Sequence, residues 1–569
     1  MCKQHCVFPF FEGSTMVSVS SCVYLTSPNP REVWFRISTL PYSVQTITHY
    51  CAPTHSLIMA PTVQQPTTHI PETEVPRIDG GTWKRVQQGT WTRPCSGGET
   101  GVSYNQNVRD GHTELSIQVP FNIDLSTSEL IQRFRNAWLV SHSRTPEIAV
   151  QLSTGTELPQ MMKYEVLHTD AEAAQWMQET FRVVTDQSAA DVVNMTYSRR
   201  LPTKGKRNMM YLVTGPHADP ENPTQHTLVW NLSHAVADVY SIVQFVNQFL
   251  KAVTQVAGDR DYSVSQIDYS GVLDRLPISP LTPYQEQYKP NREQIQKAIA
   301  EAARQGDLYT SKIGQSVAMY PEEDIAEREH KTHCIRLQYS LEQSRALLAQ
   351  LREEKLSITF ATAAATVLAV KQTYAKGHET GALLGMTRNA RRWVDTNGKS
   401  GGKIPAAADC VFLWIPFEQH WFQGSTRDSV LHIARAIRKE LGPHLVSPHY
   451  ISSMNFTSAR AVEGLAAATE PSAAPCAPGF SPQGALGLER QFKSPTASLE
   501  VHDFIHTGRQ INDSAWVGMF SLWDRITLSI GFDGKYYDPA GMDTFMALTK
   551  SNLASLIPRR FKRGVTSRL

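Results

Sequence analysis

A chain of 569 residues exceeds what one hydrophobic core usually organises, so at least two domains are expected. Its 41% hydrophobic and 19% charged residues suit a folded soluble protein, and 55 Lys+Arg against 53 Asp+Glu leave a net charge of +2. That balance excludes a global electrostatic pull toward nucleic acid, a membrane surface or acidic partners, and favours a small neutral ligand.

Residues 1–75 lack sustained periodicity and end in the Pro/Thr-rich MAPTVQQPTTHIPETEVP, which predicts a disordered leader. Met59 opens a segment that reads as an ordinary protein start, making residues 1–58 a candidate gene-model artefact. Pro9, Glu12 and several serines interrupt the N-terminal apolar patches, a poor secretory signal, and no apolar run approaches the ~20 residues of a membrane span. Asn194, Asn231 and Asn455, each in an Asn-x-Ser/Thr triplet, are therefore expected to stay unglycosylated. Cys2 and Cys6 lack a second pair to complete a zinc site, so reduced thiols and no metal are expected.

From about residue 80 the pattern becomes α/β. ELSIQVPFNI alternates as a strand, and STSELIQRFRNAWLVSH carries apolar residues at helical spacing behind a Ser/Thr cap. MMKYEVL and DAEAAQWMQETFRVV repeat strand and helix; NMMYLVTG and HTLVWNL are two further strands. Residues 76–275 form a first half, and 276–330 a crossover with a helix at 291–304. Residues 331–557 form a second half: strand HCIRLQYS, helices LEQSRALLAQLREE and ATAAATVLAVKQTY, buried strand ADCVFLWIPFEQ and helix DSVLHIARAIRKEL. The Ala/Pro/Gly-rich 460–490 reads as a mobile loop. AWVGMFSLWD and ITLSIGFDGKYY are strands that can pair around WDR, FDGKYY reads as a turn on its Asp-Gly signal, and helix DTFMALTKSNLASL follows. Residues 558–569 are a basic tail. Two halves joined by a crossover put the expected site in the cleft between them.

At the junction of HTLVWNL with the next helix stands SHAVADVYS. An H-x-x-x-D pattern arises by chance about once in a chain with 19 histidines. Asp238 also has an ordinary task, capping a helix whose apolar face is Val239, Ile242, Val243, Val246, Phe249 and Leu250. Position argues for chemistry: His234 follows a strand end and precedes a helix, Ala235 and Ala237 leave room beside it, and a neutral imidazole can take a hydroxyl proton. No G-x-S-x-G, G-x-x-x-x-G-K-[ST] or H-E-x-x-H motif competes. His502 and His506 have metal-ligand spacing, but LEVHDFIH alternates as a strand and offers no third ligand.

NLSHAVADVYSIVQF resembles the H-x-x-x-D acyltransferase superfamily of plant BAHD enzymes, carnitine acyltransferases and peptide condensation domains. With GMTRNARRW (385–393), FLWIPF (412–417) and GFDGKYYDPAGMDTF (531–545), it is most similar to fungal trichothecene 15-O-acetyltransferase-type enzymes, over roughly residues 80–557. Ser233 replaces the first histidine of condensation domains, Val239 replaces their glycine, and the plant D-F-G-W-G motif is not visible.

The resemblance implies two similar chloramphenicol-acetyltransferase-like α/β domains with the site in a tunnel between them. It implies His234 as general base and Asp238 as support of the loop through an arginine. The co-substrate would be acetyl-CoA or another acyl-CoA, without a metal, and the partner a small hydroxylated acceptor. It further implies a monomer, with no nucleic acid and no membrane. Arg388, Asn389, Arg391 and Arg392 are candidate cofactor-binding residues, the arginines because guanidinium meets phosphate bidentately; a solvated or salt-bridged turn is the alternative. Thr387, Arg388 and Asn389 are the candidate oxyanion donors, and Trp393 and Trp414 read as core. Ser567-Arg568-Leu569 resembles a peroxisomal address, with the cytoplasm the alternative. Two rival functions use the same His234 differently: carrier-protein-dependent, condensation-like transfer, and a non-catalytic metabolite-binding protein.

Overall fold

The computed structural model describes residues 81–214, 225–322, 325–394, 404, 406–467 and 475–558, with three short strands nearer the N-terminus. By contact the chain divides into one unit of residues 1–75 with 468–470 and another of 76–467 with 471–569. The described part of the first unit is a small antiparallel sheet, Ser18–Val19, Cys22–Thr26 and Val33–Ile37. The leader and artefact expectations otherwise fall outside the described residues, as does the basic tail with Ser567-Arg568-Leu569.

The second unit carries the α/β body. Helix α1 (Gly98–Val108) precedes β1 (Leu115–Ile123), and Ser126 caps α2 (Thr127–Arg144) by accepting from the Glu129 amide at 3.3 Å. The sequence DAEAAQWMQETFRVV divides: the helix ends at Thr180 and Phe181–Val184 is strand β2, because Phe-Arg-Val-Val favours a pleated, half-buried strand over a helix end. β2 runs parallel to β3 (Met209–Val213), β3 antiparallel to β4 (His226–Leu232), and β4 antiparallel to β1. Helix α3 (Val239–Gln255) then buries the six apolar side chains expected of it. The crossover helix α4 (Arg292–Lys312) extends beyond 304, running through Gly306, since a glycine inside a helix costs only about 1 kcal/mol against alanine and no proline follows it there.

The second half contributes β5 (Thr332–Gln338), α5 (Ile358–Tyr374), β6 (Gly381–Asn389), β7 (Ala408–Pro416), α6 (Thr426–Leu441) and α7 (Tyr450–Ala467). The loop expected over 460–490 is replaced at both ends by regular structure. α7 runs to Ala467, where alanines favour a helix, and strand β8 (Gly479–Leu486) follows. Next come β9 (Gln491–Ser494), β10 (Ala497–Val501), β11 (Ile505–Gly508), β12 (Trp516–Leu522), β13 (Arg525–Asp533) and α8 (Pro539–Ala554). β12 and β13 pair around Trp523 and Asp524, both at positive φ (47° and 66°), as the WDR reading expects. The turn read in FDGKYY forms at Gly534–Tyr536, with Tyr536 and Tyr537 buried beside it, but the chain does not return as a strand, because Pro539 starts a helix.

Two seven-stranded sheets result. One contains β6, β8, β12, β13 and β5 in that order, with β7 and the short Ser316–Val317 strand paired to β6. The other has the order β9-β10-β1-β4-β3-β2, with β11 also on β1, so strands late in the chain complete the sheet of the first half. Each sheet lies against its own apolar cluster, around Trp138, Trp230 and Phe249 in one and Leu384, Phe480 and Phe545 in the other. Close strand packing at β8 depends on Gly479, where an added Cβ would lie 2.4 Å from the Trp516 indole.

Candidate active site

His234 occupies the turn between the end of β4 at Leu232 and the start of α3 at Val239. The turn is held from below. The Ser233 amide donates to Asn208 Oδ1 at 3.2 Å, and the Ser233 hydroxyl donates to Gln106 Oε1 while accepting from the Ala235 amide. His234 is half-buried, and its Nδ1 lies 2.9 Å from the Ala237 carbonyl oxygen. A carbonyl only accepts, so this contact assigns the ring proton to Nδ1 and leaves the Nε2 lone pair free. Buried Ala235 and Ala237 keep the neighbouring wall small.

Asp238 points the other way. One carboxylate oxygen caps α3 by accepting from the Ser241 amide at 3.2 Å, and the other accepts from the Ala407 amide at 3.0 Å. Arg391 adds two parallel hydrogen bonds of 2.8 and 3.0 Å. Burial pushes the carboxyl pKa up, but the Arg391 guanidinium and the two amides outweigh it and hold the group below its ordinary range. The strand-turn-helix unit is thus anchored at Ser233 to the first half and at Asp238 to the second.

The cofactor candidates separate by what their side chains already hold. Arg391 also donates to the Ile404 carbonyl, so its fork is turned toward Asp238 and the backbone. Arg388 is buried and grips Asp409 bidentately, with the Tyr450 ring 4.0 Å from its guanidinium. Asn389 accepts from the Arg391 amide at 3.0 Å, and the Thr387 hydroxyl donates to Ser481 Oγ at 3.3 Å. Arg392 is exposed, stacked over Trp393 and donating to the Leu445 carbonyl. Two of the three guanidinium groups are therefore occupied by carboxylates, and Arg392 is the one of the run presented to solvent. Trp393 packs on the small core around Tyr284 and Tyr450, and Trp414 lies against Gly381 under the Lys312 ammonium.

Sequence reading missed three contributors: Gln106 under Ser233, Asp409 opposite Arg388, and His506. The last is buried on β11, and protonation of His234 bears on its own. Spacing had singled out His506 only as a metal ligand with His502; among the described residues no group of three metal-ligating side chains forms.

No protein-family model matches the chain. Acyl-CoA-dependent acyltransferase MAC1 of Pseudozyma antarctica (strain T-34) is 36% identical over 526 residues, spanning 83% of this chain and 95% of its own. MAC1 of Mycosarcoma maydis is 33% identical over 531 residues, spanning 84% and 89%. The chain belongs to this acyl-CoA-dependent acyltransferase family. Its fold agrees: the TRI3 trichothecene 15-O-acetyltransferase of Fusarium sporotrichioides matches 85% of this chain and 100% of its own with a TM-score of 0.71 at 16% identity. The first condensation domain of the calcium-dependent antibiotic synthetase matches 81% and 94% with a TM-score of 0.55 at 10% identity. The acyltransferase resemblance read from the motifs agrees with the sequence relatives, and the expected fold with that of the trichothecene acetyltransferase.

Proposed function

We propose that this acyltransferase moves an acetyl group from acetyl-CoA onto a hydroxyl of a small hydrophobic metabolite of the terpenoid or polyketide class, with His234 as general base. The observation that carries this reading is the Nδ1 contact of His234 with the Ala237 carbonyl, which leaves Nε2 as a proton acceptor in a fixed orientation. Nε2 takes the proton of the acceptor hydroxyl as its oxygen bonds to the thioester carbonyl carbon. The tetrahedral intermediate collapses with cleavage of the carbon–sulfur bond, and the CoA thiolate leaves with the proton returned from Nε2. Asp238 stays ionised, paired to Arg391, and acts only by holding the turn. Arg392 is the candidate partner for a CoA phosphate.

Full-length wild type and His234→Ala test this by calorimetric titration with acetyl-CoA and by slow acceptor-independent thioester hydrolysis. Binding by both with hydrolysis by the wild type alone is the expected result. No binding by either would remove free acetyl-CoA as donor and favour a carrier-borne acyl group or a non-catalytic binding protein. We further propose peroxisomal import through Ser567-Arg568-Leu569. A fluorescent fusion that stays diffuse with an intact C-terminus would overturn that.

A further inference from the structure

β11 is the strand by which the second half reaches into the first sheet, with His506 opposite Ile117 of β1. On the other side of β1, Ile117 faces Trp230 of β4, the strand that delivers His234. One strand thus separates the element carrying the base from the element carrying a second histidine. The His506 ring lies 5.3 Å from that of Phe504 and 5.1 Å from that of Phe520, and Phe520 belongs to β12 of the other sheet. His506 therefore stands where the two sheets meet.

Its polar atoms are unexplained by the fold. Only 6% of the residue is exposed, and among the described residues neither ring nitrogen has a hydrogen-bond partner. Nδ1 is sealed; Nε2 is not. A buried polar group without a partner is rare in a folded protein and asks what it serves. Burial, and then the charge of Arg336 and that of a protonated His234, push its pKa down to about 3, so the ring is neutral at physiological pH. A neutral imidazole carries one N–H. Placing that proton on Nδ1 would bury a donor with no acceptor, so the favoured tautomer holds it on Nε2.

We propose that His506 is a second histidine of the acyl-transfer site, its Nε2–H donating a hydrogen bond to a substrate oxygen while His234 takes the acceptor proton. This rests on the function proposed above. No covalent bond forms at His506 and no proton leaves it. Its neutrality suits the step, because a second cation here would oppose the imidazolium that forms on His234.

The test uses full-length wild type, His506→Phe and His506→Gln, with acetyl-CoA and the acceptor found by screening. His506→Phe is expected to lower kcat on the order of 10²-fold, as loss of an oxyanion donor does. His506→Gln, which keeps an N–H donor near the same place, is expected to recover part of that. A loss shared by acceptor-independent thioester hydrolysis identifies the oxygen as the thioester carbonyl; a loss confined to transfer identifies the acceptor. Wild-type kcat and KM in His506→Phe overturn the proposal. If the wild type transfers nothing, the proposed function fails, and His506 is read separately by ¹⁵N-imidazole NMR at pH 7. A neutral ring protonated on Nε2 upholds the donor; an imidazolium or an Nδ1–H tautomer overturns it, and this readout serves equally if His506→Phe does not fold.

Discussion

Asp238 and Arg391 are 153 positions apart in the chain and meet through two hydrogen bonds, both side chains nine-tenths buried. This pair fastens the base-bearing turn of one half to the end of β6 in the other. Removing one partner leaves an uncompensated buried charge, so Arg391→Ala is expected to cost about 3–5 kcal/mol. Asp238→Asn with Arg391→Gln should cost less than the two single changes summed, a coupling that urea denaturation of the four proteins measures. Additive losses would mean that the pair is not the fastening.

His234→Ala removes a half-buried ring whose one hydrogen bond among the described residues is to Ala237. Its melting temperature should stay near that of the wild type while acetyl transfer falls on the order of 10²- to 10⁴-fold. Thermal denaturation and single-turnover rates on the same samples separate this from the Asp238 effect, where stability and rate fall together.

Arg388 and Arg392 should behave differently toward the donor. Arg388→Gln strands Asp409 and is expected to lower stability without changing the preference for acetyl-CoA over its 3′-dephospho analogue. Arg392→Ala should leave stability within about 0.5 kcal/mol of wild type, as surface changes do, and weaken that preference. Equal KM values for both donors in wild type would remove Arg392 from phosphate binding.

Burial pushes the pKa of His112, His142 and His506 down to about 3. The unfolded chain, with ordinary histidines, then binds more protons than the fold between about pH 6.5 and 3, so stability from these groups is lost as pH falls through that window. His142→Phe keeps a ring against Trp176 and removes one titration. Denaturation midpoints at pH 7.5, 6 and 5 should fall less steeply in this variant than in wild type.

Gly479 has no room for a side chain beside the Trp516 indole. Gly479→Ala forces β8 and β12 apart and should cost about 1–3 kcal/mol, as overpacking does. A neutral result in thermal denaturation would show that the indole gives way freely.

The strand-turn-helix around His234 was legible because alternation, a cap and an apolar face all agree there. Local pattern does not carry partners, and that is where reading stopped. A guanidinium has the same sequence signature whether it meets a phosphate or a carboxylate, so Arg388 and its partner Asp409 gave no sign of each other. LEVHDFIH alternates like one strand, but the structure interrupts it at residues 502–504, and nothing in it says that the resulting β10 and β11 both pair with β1 of the other half. The end of α7 was obscured because alanines that favour a helix sit beside the four prolines and the glycine of 471–482.

That strand exchange also sets an order of events during synthesis. When the first half has emerged from the ribosome, β1 has β4 on one side and an empty edge on the other, which only β10 and β11 can fill. A nine-residue strand with a bare edge is a template for pairing with other chains. The nascent protein must carry that edge until residue 508 is free, so its yield in a cell should depend on translation speed and chaperones more than its finished stability suggests.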